Sequence, residues 1–181
     1  TATVDAVRRA LGPIDILVNN AGTTAAAPYD DEQFPQAWDK AIAINLTGVY
    51  NGIFGLGPNA LIEENIIDGF AGDALRALGD NSTVRRNKVQ NCHQINASHT
   101  DGFQSFSRGT GGKVGTGVVR NVLIEDNKIF ESVGTRSPIN CKLQGISMFD
   151  GMYDGFVIRN NVVSTTAYHG ITMGGALNSK I

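Results

Sequence analysis

Beyond about residue 50, apolar and polar positions follow one short template that recurs along the chain. The template is apolar, x, x, Asn, x, apolar, and its Asn falls at Asn65, Asn87, Asn127 and Asn161. The intervals between them are 22, 40 and 34 residues, so one short unit sets the period and two units carry insertions. Each copy is followed by a second short apolar stretch, which predicts another strand. These predicted second strands are 74–78, 102–106, 145–149 and 170–173.

This repeat of short strands predicts a right-handed parallel β-helix of about four coils over residues 51–181. Successive coils would lie ~4.8 Å apart, the spacing of hydrogen-bonded strands. Inward apolar residues would then stack in columns, one of which is Ile62, Val84, Ile124 and Ile158. The repeated Asn is expected to occupy a left-handed bend and to bond its amide to the Asn above and below. We therefore interpret the repeated Asn as structural.

Residues 1–50 follow a different pattern and are predicted to form a separate unit. Apolar residues over 4–11 recur at helical spacing, and a Gly-Pro pair then ends the helix. The apolar run at 14–18 is typical of a buried parallel strand, and 31–50 has the spacing of a second helix. This unit holds only three of the 22 glycines. The predicted fold class is thus mostly β, a parallel β-helix preceded by an incomplete Rossmann-like α/β segment.

Composition and charge narrow the function only slightly. The chain has 181 residues, is 41% hydrophobic and carries a formal charge of -2, as expected of a soluble globular protein. We therefore expect no nucleic-acid partner and no membrane partner. No apolar run approaches the roughly 20 residues that span a bilayer, and no signal peptide is visible, so the localisation stays open. Cys92 and Cys141 can pair in principle, but buried free thiols are the expected state.

A specific motif, Asn19-Asn20-Ala21-Gly22, directly follows the predicted strand. With Asn45 near the end of the second helix, it makes residues 4–50 resemble a short-chain dehydrogenase/reductase. The resemblance implies that Asn19, Ala21 and Gly22 border an NAD(P) cofactor, and that Asn45 holds a water in a proton relay.

The rest of that enzyme is not expected here. The family's Gly-rich phosphate-binding turn would lie upstream of residue 1. Its general acid is the Tyr of a Tyr-x-x-x-Lys pair, and none of the four tyrosines has a lysine four residues later. Residues 1–50 are therefore interpreted as a fragment that does not transfer hydride.

Residues 58–181, with the repeated Asn template, resemble the pectate-lyase-like superfamily of right-handed parallel β-helices. The resemblance implies a carbohydrate-active protein that acts on or binds polysaccharide. Lyase or epimerase chemistry on uronic-acid polymers is the expected activity. Asp73, Asp101, Gln144 and His169 precede the second strands and are predicted to form a rough column.

Candidate site residues come from this region of successive coils. The candidate catalytic residues are Asp101, Arg108, Tyr153 and His169. Calcium is predicted on three carboxylates, Asp101, Asp150 and Asp154. Arg108 or calcium would neutralise the substrate carboxylate and so acidify the adjacent C–H, while Tyr153 or His169 would move the proton. Because each Asp precedes a Gly, a plain turn is the alternative interpretation.

Three function classes stay open. They are a polysaccharide-processing enzyme, a non-catalytic glycan-binding or structural β-helix, and a fragment of an NAD(P)-dependent short-chain dehydrogenase/reductase. A zinc site within 92–101 is disfavoured because the spacing of Cys, His and Asp matches no common zinc motif. Hydrolysis by paired carboxylates ranks below lyase chemistry because the further Asp pair it needs is not seen. Unpaired strands at the ends of the coils also predict self-association.

Overall fold

The computed structural model describes residue 10 and residues 52–94, 99–134 and 141–181. Within these ranges the regular structure is almost entirely short strands, with one 3-10 turn at Thr110–Gly112. The strands are β1 (Ile53–Gly55), β2 (Leu61–Glu63), β3 (Ile66–Phe70), β4 (Leu75–Ala77), β5 (Thr83–Arg85), β6 (Lys88–Cys92), β7 (Thr100–Gln104), β8 (Val118–Arg120), β9 (Leu123–Glu125), β10 (Lys128–Phe130), β11 (Leu143–Met148), β12 (Met152–Asp154), β13 (Val157–Arg159), β14 (Val162–Ser164), β15 (Ile171–Met173) and β16 (Ala176–Leu177). No helix in these ranges is long and apolar enough to cross a membrane.

The strands form four parallel sheets. The first sheet has the order β1-β4-β7-β11-β15, and the second has the order β2-β5-β9-β13. The third is β3-β6-β10-β14, and the fourth is β8-β12-β16. Neighbouring strands of one sheet come from successive passes of the chain, so residues far apart in sequence lie side by side.

The second sheet shows how the core is built. Ile62 pairs with Val84, Val84 with Ile124, and Ile124 with Ile158, so the predicted apolar column is confirmed. All four side chains are at most 4% exposed. Burying an aliphatic side chain of this size stabilises a fold by about 1.5–3 kcal/mol. The column therefore supplies a substantial part of the core.

The repeated Asn residues form a second continuous feature beside this column. Asn65, Asn87 and Asn127 each donate from Nδ2 to the Oδ1 of the next Asn, always at 2.9 Å, and the last acceptor is Asn161. The predicted side-chain bonds are thus confirmed. The left-handed backbone, however, belongs to the preceding residues, Glu64, Arg86, Asp126 and Asn160, with φ between 53 and 59°. The predicted position of the bend was wrong by one residue, because the Asn side chain must point inward to reach its neighbours.

The predicted fold class needs correction. A right-handed parallel β-helix of about four coils, preceded by an incomplete α/β segment, was expected with two strands in each repeat. The described residues instead form four separate parallel sheets of three to five strands with almost no helix. Three-residue strands separated by single left-handed residues are too short to show an alternation in sequence, which is why half of the sheets were missed. The predicted helix-strand-helix segment and the boundary near residue 50 lie outside the described residues.

The stacked passes also join the two cysteines. Cys92, at the end of β6, and Cys141, two residues before β11, form a disulfide with a Cα–Cα distance of 5.8 Å. The expectation of free thiols was therefore wrong. Their separation of 49 residues along the chain concealed a contact that the stacking of passes creates.

Candidate functional site

Two rows of polar residues cross the first sheet. In one row Arg76 pairs with Gln104, Gln104 with Ser147, and Ser147 with Thr172. The other row contains the residues three positions earlier on each strand, namely Asp73, Asp101, Gln144 and His169. The predicted alignment of Asp101 with Gln144 is confirmed by their pairing. Side chains from the two rows meet, because Arg76 contacts Asp73 and Gln104 contacts Asp101.

A carboxyl cluster lies at the start of β7, formed by Asp73, His99 and Asp101. Each offers one ligand atom, and these atoms lie within 4.8 Å of one another. His99 Nδ1 is 2.8 Å from Asp101 Oδ2, and the guanidinium of Arg76 donates to Asp73 Oδ2. Gln104 Nε2 also donates to Asp101 Oδ2, at 3.1 Å. Asp101 is fully buried and Asp73 is 7% exposed, whereas His99 is largely exposed.

Burial dominates the electrostatics of this cluster. Burial is the largest cause of a rise in the pKa of Asp101 to about 7, and the negative charge of Asp73 contributes to that rise. His99 and the nearby Ser147 hydroxyl act in the opposite direction. Near neutral pH the Asp101 carboxyl can therefore bind or release a proton, as a group engaged in acid–base chemistry must.

An aromatic–arginine ladder, Phe54, Arg76, Phe106 and Arg108, borders the carboxyl cluster. Arg76 Cζ lies 4.8 Å from the centre of the Phe54 ring and 5.3 Å from that of Phe106. Arg108 Cζ lies 5.1 Å from the centre of the same Phe106 ring. Guanidinium groups over ring faces are held by cation–π attraction. Because Arg76 also binds Asp73, the ladder and the carboxyl cluster form one continuous surface.

Three of the four predicted catalytic residues lie on or beside the first sheet. Asp101 lies in the carboxyl cluster, and Arg108 is exposed at the end of the ladder. His169 is on the same sheet, with its ring 5.1 Å from Phe149 and 4.2 Å from Tyr168. Its Nδ1 lies 3.3 Å from the hydroxyl of Thr172 on β15, a residue of the other row.

Tyr153 does not belong to this surface. Its side chain is fully buried, and its hydroxyl donates to the backbone oxygen of Ser105 at 2.9 Å. Burial raises the pKa of Tyr153 well above its ordinary value, and the charge of Asp150 adds to the rise. A phenol held in this way has no access to a substrate, so the predicted proton transfer by Tyr153 is corrected to a structural role.

The predicted calcium ligands Asp101, Asp150 and Asp154 are not brought together. Asp154 lies on β12 in the fourth sheet, and its Oδ1 accepts a hydrogen bond from Asn178 at 2.9 Å. Asp150 is exposed in the bend between β11 and β12. In the part of the chain that the structure describes, the group with metal-ligand spacing is the carboxyl cluster instead. Asp150-Gly151 and Gly155, which follows Asp154, lie in bends, whereas Asp101-Gly102 lies within β7.

Sequence reasoning missed four residues of this surface: His99, Arg76, Phe54 and Phe106. The spacing Asp-x-x-Arg at 73–76 and Asp-x-x-Gln at 101–104 was available as a signal, since both members of each pair contact one another. His99 was not predicted as a ligand because the spacing of Cys, His and Asp within residues 92–101 matches no common zinc motif. Its partner Asp101 is only two residues away in sequence. Asp73 comes from the previous pass of the chain, so the sequence does not show that it lies nearby.

The predicted cofactor-binding residues lie outside the described residues. These residues are Asn19, Ala21, Gly22 and Asn45. Their roles stay predictions that follow from the family resemblance.

Comparison with known proteins finds similarity in the N-terminal region. Residues 1–64 match the family described as short chain dehydrogenase. The acetoacetyl-CoA reductase of Rhizobium meliloti is 49% identical over 53 residues, which cover 28% of this chain and 22% of that protein. The 5-keto-D-gluconate 5-reductase of Escherichia coli (strain K12) is 44% identical over 50 residues, 27% of this chain and 19% of that protein.

A third relative matches over a longer stretch at lower identity. The 3-alpha-(or 20-beta)-hydroxysteroid dehydrogenase of Mycobacterium bovis is 34% identical over 79 residues, 40% of this chain and 30% of that protein. The chain thus spans less than a third of the length of each of these relatives. No solved structure matches the chain significantly. The N-terminal region therefore carries short-chain dehydrogenase/reductase sequence, and the predicted pectate-lyase-like resemblance of residues 58–181 receives no support.

Proposed function

We propose that the N-terminal region is a piece of an NAD(P)-dependent short-chain oxidoreductase. The observation that carries this proposal is the family match over residues 1–64. The similar proteins are named as reductases and dehydrogenases. The proposed parent chemistry is therefore hydride exchange between a nicotinamide and a carbonyl or hydroxyl group.

Within this region the Asn-Asn-Ala-Gly motif is the proposed contact with the cofactor. Gly22 has no side chain and would let the backbone approach a ribose closely, and Asn45 would present an amide to water. The printed sequence contains no Tyr-x-x-x-Lys pair, which is the proton donor of this family. We therefore expect the chain alone to bind nicotinamide weakly and to transfer no hydride.

Titration with NADH and NADPH, followed by cofactor fluorescence, tests this proposal. The expected result is no saturation in the low micromolar range, with wild type and Gly22→Val indistinguishable. Saturable low-micromolar binding that Gly22→Val removes would show a complete cofactor site. Such a result would overturn the interpretation as an incomplete piece and favour a working reductase.

A second candidate function is favoured by the aromatic–arginine ladder beside the carboxyl cluster. Phe54 is 39% exposed and Arg108 is exposed, so both are available to a ligand that lies along the first sheet. Aromatic rings offer an apolar face to sugar rings, and a guanidinium pairs with a carboxylate through two parallel hydrogen bonds. We propose a uronic-acid polysaccharide as the ligand of this surface.

Lyase chemistry is the proposed finer activity of this second candidate. Pairing of Arg108 with the uronate carboxylate would make the adjacent C–H more acidic. A base, for which His169 is the candidate, would take that proton as the glycosidic C–O bond breaks. The glycosidic oxygen would leave with the electrons of that bond and take a proton from water. The two electrons of the C–H bond would then form a carbon–carbon double bond conjugated to the carboxylate. The same surface would act as a glycan-binding site if no base reaches that proton.

Binding and cleavage can be separated with pectate and alginate. Calorimetry should show binding that Arg108→Ala weakens and that the matched control Arg120→Ala, exposed on β8 of another sheet, leaves unchanged. A rise in ultraviolet absorbance from the conjugated double bond would mark a lyase, and binding without the rise would mark a binder. Absence of binding to both polymers would reject this second candidate.

A further inference from the structure

The carboxyl cluster combines donors that suit a metal ion. Asp73, two residues before β4, faces Asp101 and His99 from the next pass of the chain. Two carboxylate oxygens and one imidazole nitrogen lie within 4.8 Å of one another, close enough to share one ion after small side-chain movements. His99 reaches the cluster from the exposed side, so an ion could enter without opening the core.

Buried oxygens without hydrogen-bond partners point to the same place. The Ser147 hydroxyl is fully buried and makes no well-aligned hydrogen bond, although it lies close enough to Asp101 to influence its carboxyl. Asp101 Oδ1 and Gln144 Oε1 are likewise buried without a partner. Nearly all buried polar atoms in proteins are satisfied, so each such atom requires an explanation. An ion with its bound water would satisfy these oxygens together.

The charge balance of the cluster also favours a cation. Arg76 neutralises Asp73, which leaves Asp101 buried without a fixed positive partner. A buried carboxylate without compensating charge is costly, and a bound cation would offset that cost.

We propose that Asp73, His99 and Asp101 bind a divalent transition metal ion, for which zinc is the appropriate probe. Imidazole together with carboxylates suits zinc, whereas calcium prefers six to eight oxygen ligands and does not select histidine. Three protein ligands leave a fourth position for water or a ligand. This inference does not rest on either proposed function, because an ion can bind whether or not the surface binds a polysaccharide.

Calorimetry on the full chain, freed of metal by a chelator, tests the site with zinc and calcium separately. Zinc should bind one-to-one, and His99→Ala and Asp101→Asn should each weaken zinc binding by at least about tenfold. Asp126→Asn is the matched control, because Asp126 is exposed on another sheet edge and its left-handed backbone tolerates Asn. Zinc affinity of this control should equal that of wild type.

Results that support the metal site and results that reject it can be told apart. His99 is largely exposed, so His99→Ala should keep its fold and still decide the question if Asp101→Asn does not fold. As a second readout, zinc should raise the melting temperature of wild type but not of His99→Ala. The proposal is overturned by the absence of zinc binding, by unchanged zinc affinity in His99→Ala, or by tighter binding of calcium than of zinc.

Discussion

The Asn127 side-chain amide donates to Asn161 Oδ1 at 2.9 Å, across one full pass of the chain. Asn127 also donates to the Val84 backbone oxygen and accepts from Asn87, while only 1% of its surface is exposed. These bonds join the repeated Asn side chains into one series, the Asn ladder. The Asn ladder therefore holds successive passes in one register.

Replacing Asn127 by Ala should destabilise the protein by about 3 kcal/mol, because buried groups on three neighbours lose their partners. Asp126→Asn, one residue away and exposed, should change the free energy of unfolding by no more than a few tenths of a kcal/mol. Urea unfolding measures both. Equal stability of the two variants would contradict the structural role of the Asn ladder.

The apolar column that contains Ile124, beside the Asn ladder, gives a second prediction. Ile124 is fully buried between Val84 and Ile158, so Ile124→Asp should bury an uncompensated charge and cost several kcal/mol. Lys128→Ala, on the exposed face of β10, should be nearly silent. Thermal melts of the two variants compare them directly, and similar melting temperatures would argue against the stacked parallel sheets.

The Cys92–Cys141 disulfide should stabilise the fold by constraining the unfolded chain. Its removal is expected to lower the free energy of unfolding by about 2–4 kcal/mol. Urea unfolding with and without dithiothreitol measures this, and a variant with both cysteines replaced by Ala should not respond to the reductant. Detection of two reactive thiols in the native protein would contradict the bond.

Asp101 predicts a pH dependence of the metal-free protein. Its folded pKa of about 7 exceeds the ordinary value of 3.8, so between these values the folded state holds a proton that the unfolded state has lost. The contribution of Asp101 to stability is therefore fully present below about pH 4 and is lost as pH rises towards 7. The difference in unfolding free energy between wild type and Asp101→Asn isolates this effect from other carboxylates. A difference that stays constant over this window would contradict the raised pKa.

Local repetition made part of the fold predictable. The column through Val84 and Ile124 and the bonds from Asn87 to Asn127 follow from a template that recurs with the same spacing. The bend was placed one residue too late because both Asp126 and Asn127 tolerate a left-handed backbone, and the sequence does not show which side chain points inward. Separate sheets were missed because each pass contains strands as short as three residues.

The candidate site was only partly predictable for a different reason. Asp101 and Gln144 were aligned correctly because each is followed by a Gly and then an apolar residue. Arg76 was overlooked because its contacts are not evident in its local sequence. It binds Asp73, three residues earlier, and lies over the rings of Phe54 and Phe106 from other passes of the chain. Tyr153 was misjudged because nothing in its local sequence shows that it points into the core.

Asp73 and Asp101 form a close, buried carboxyl pair beside the first sheet. Carbon-13 NMR titration of the aspartate carboxyls in metal-free protein measures this pairing. Asp101 should titrate near pH 7, and Asp73→Asn should lower that pKa because the repelling charge is removed. An Asp101 pKa near the ordinary value of 3.8, or one that Asp73→Asn leaves unchanged, would contradict a close buried pair of these two carboxyls.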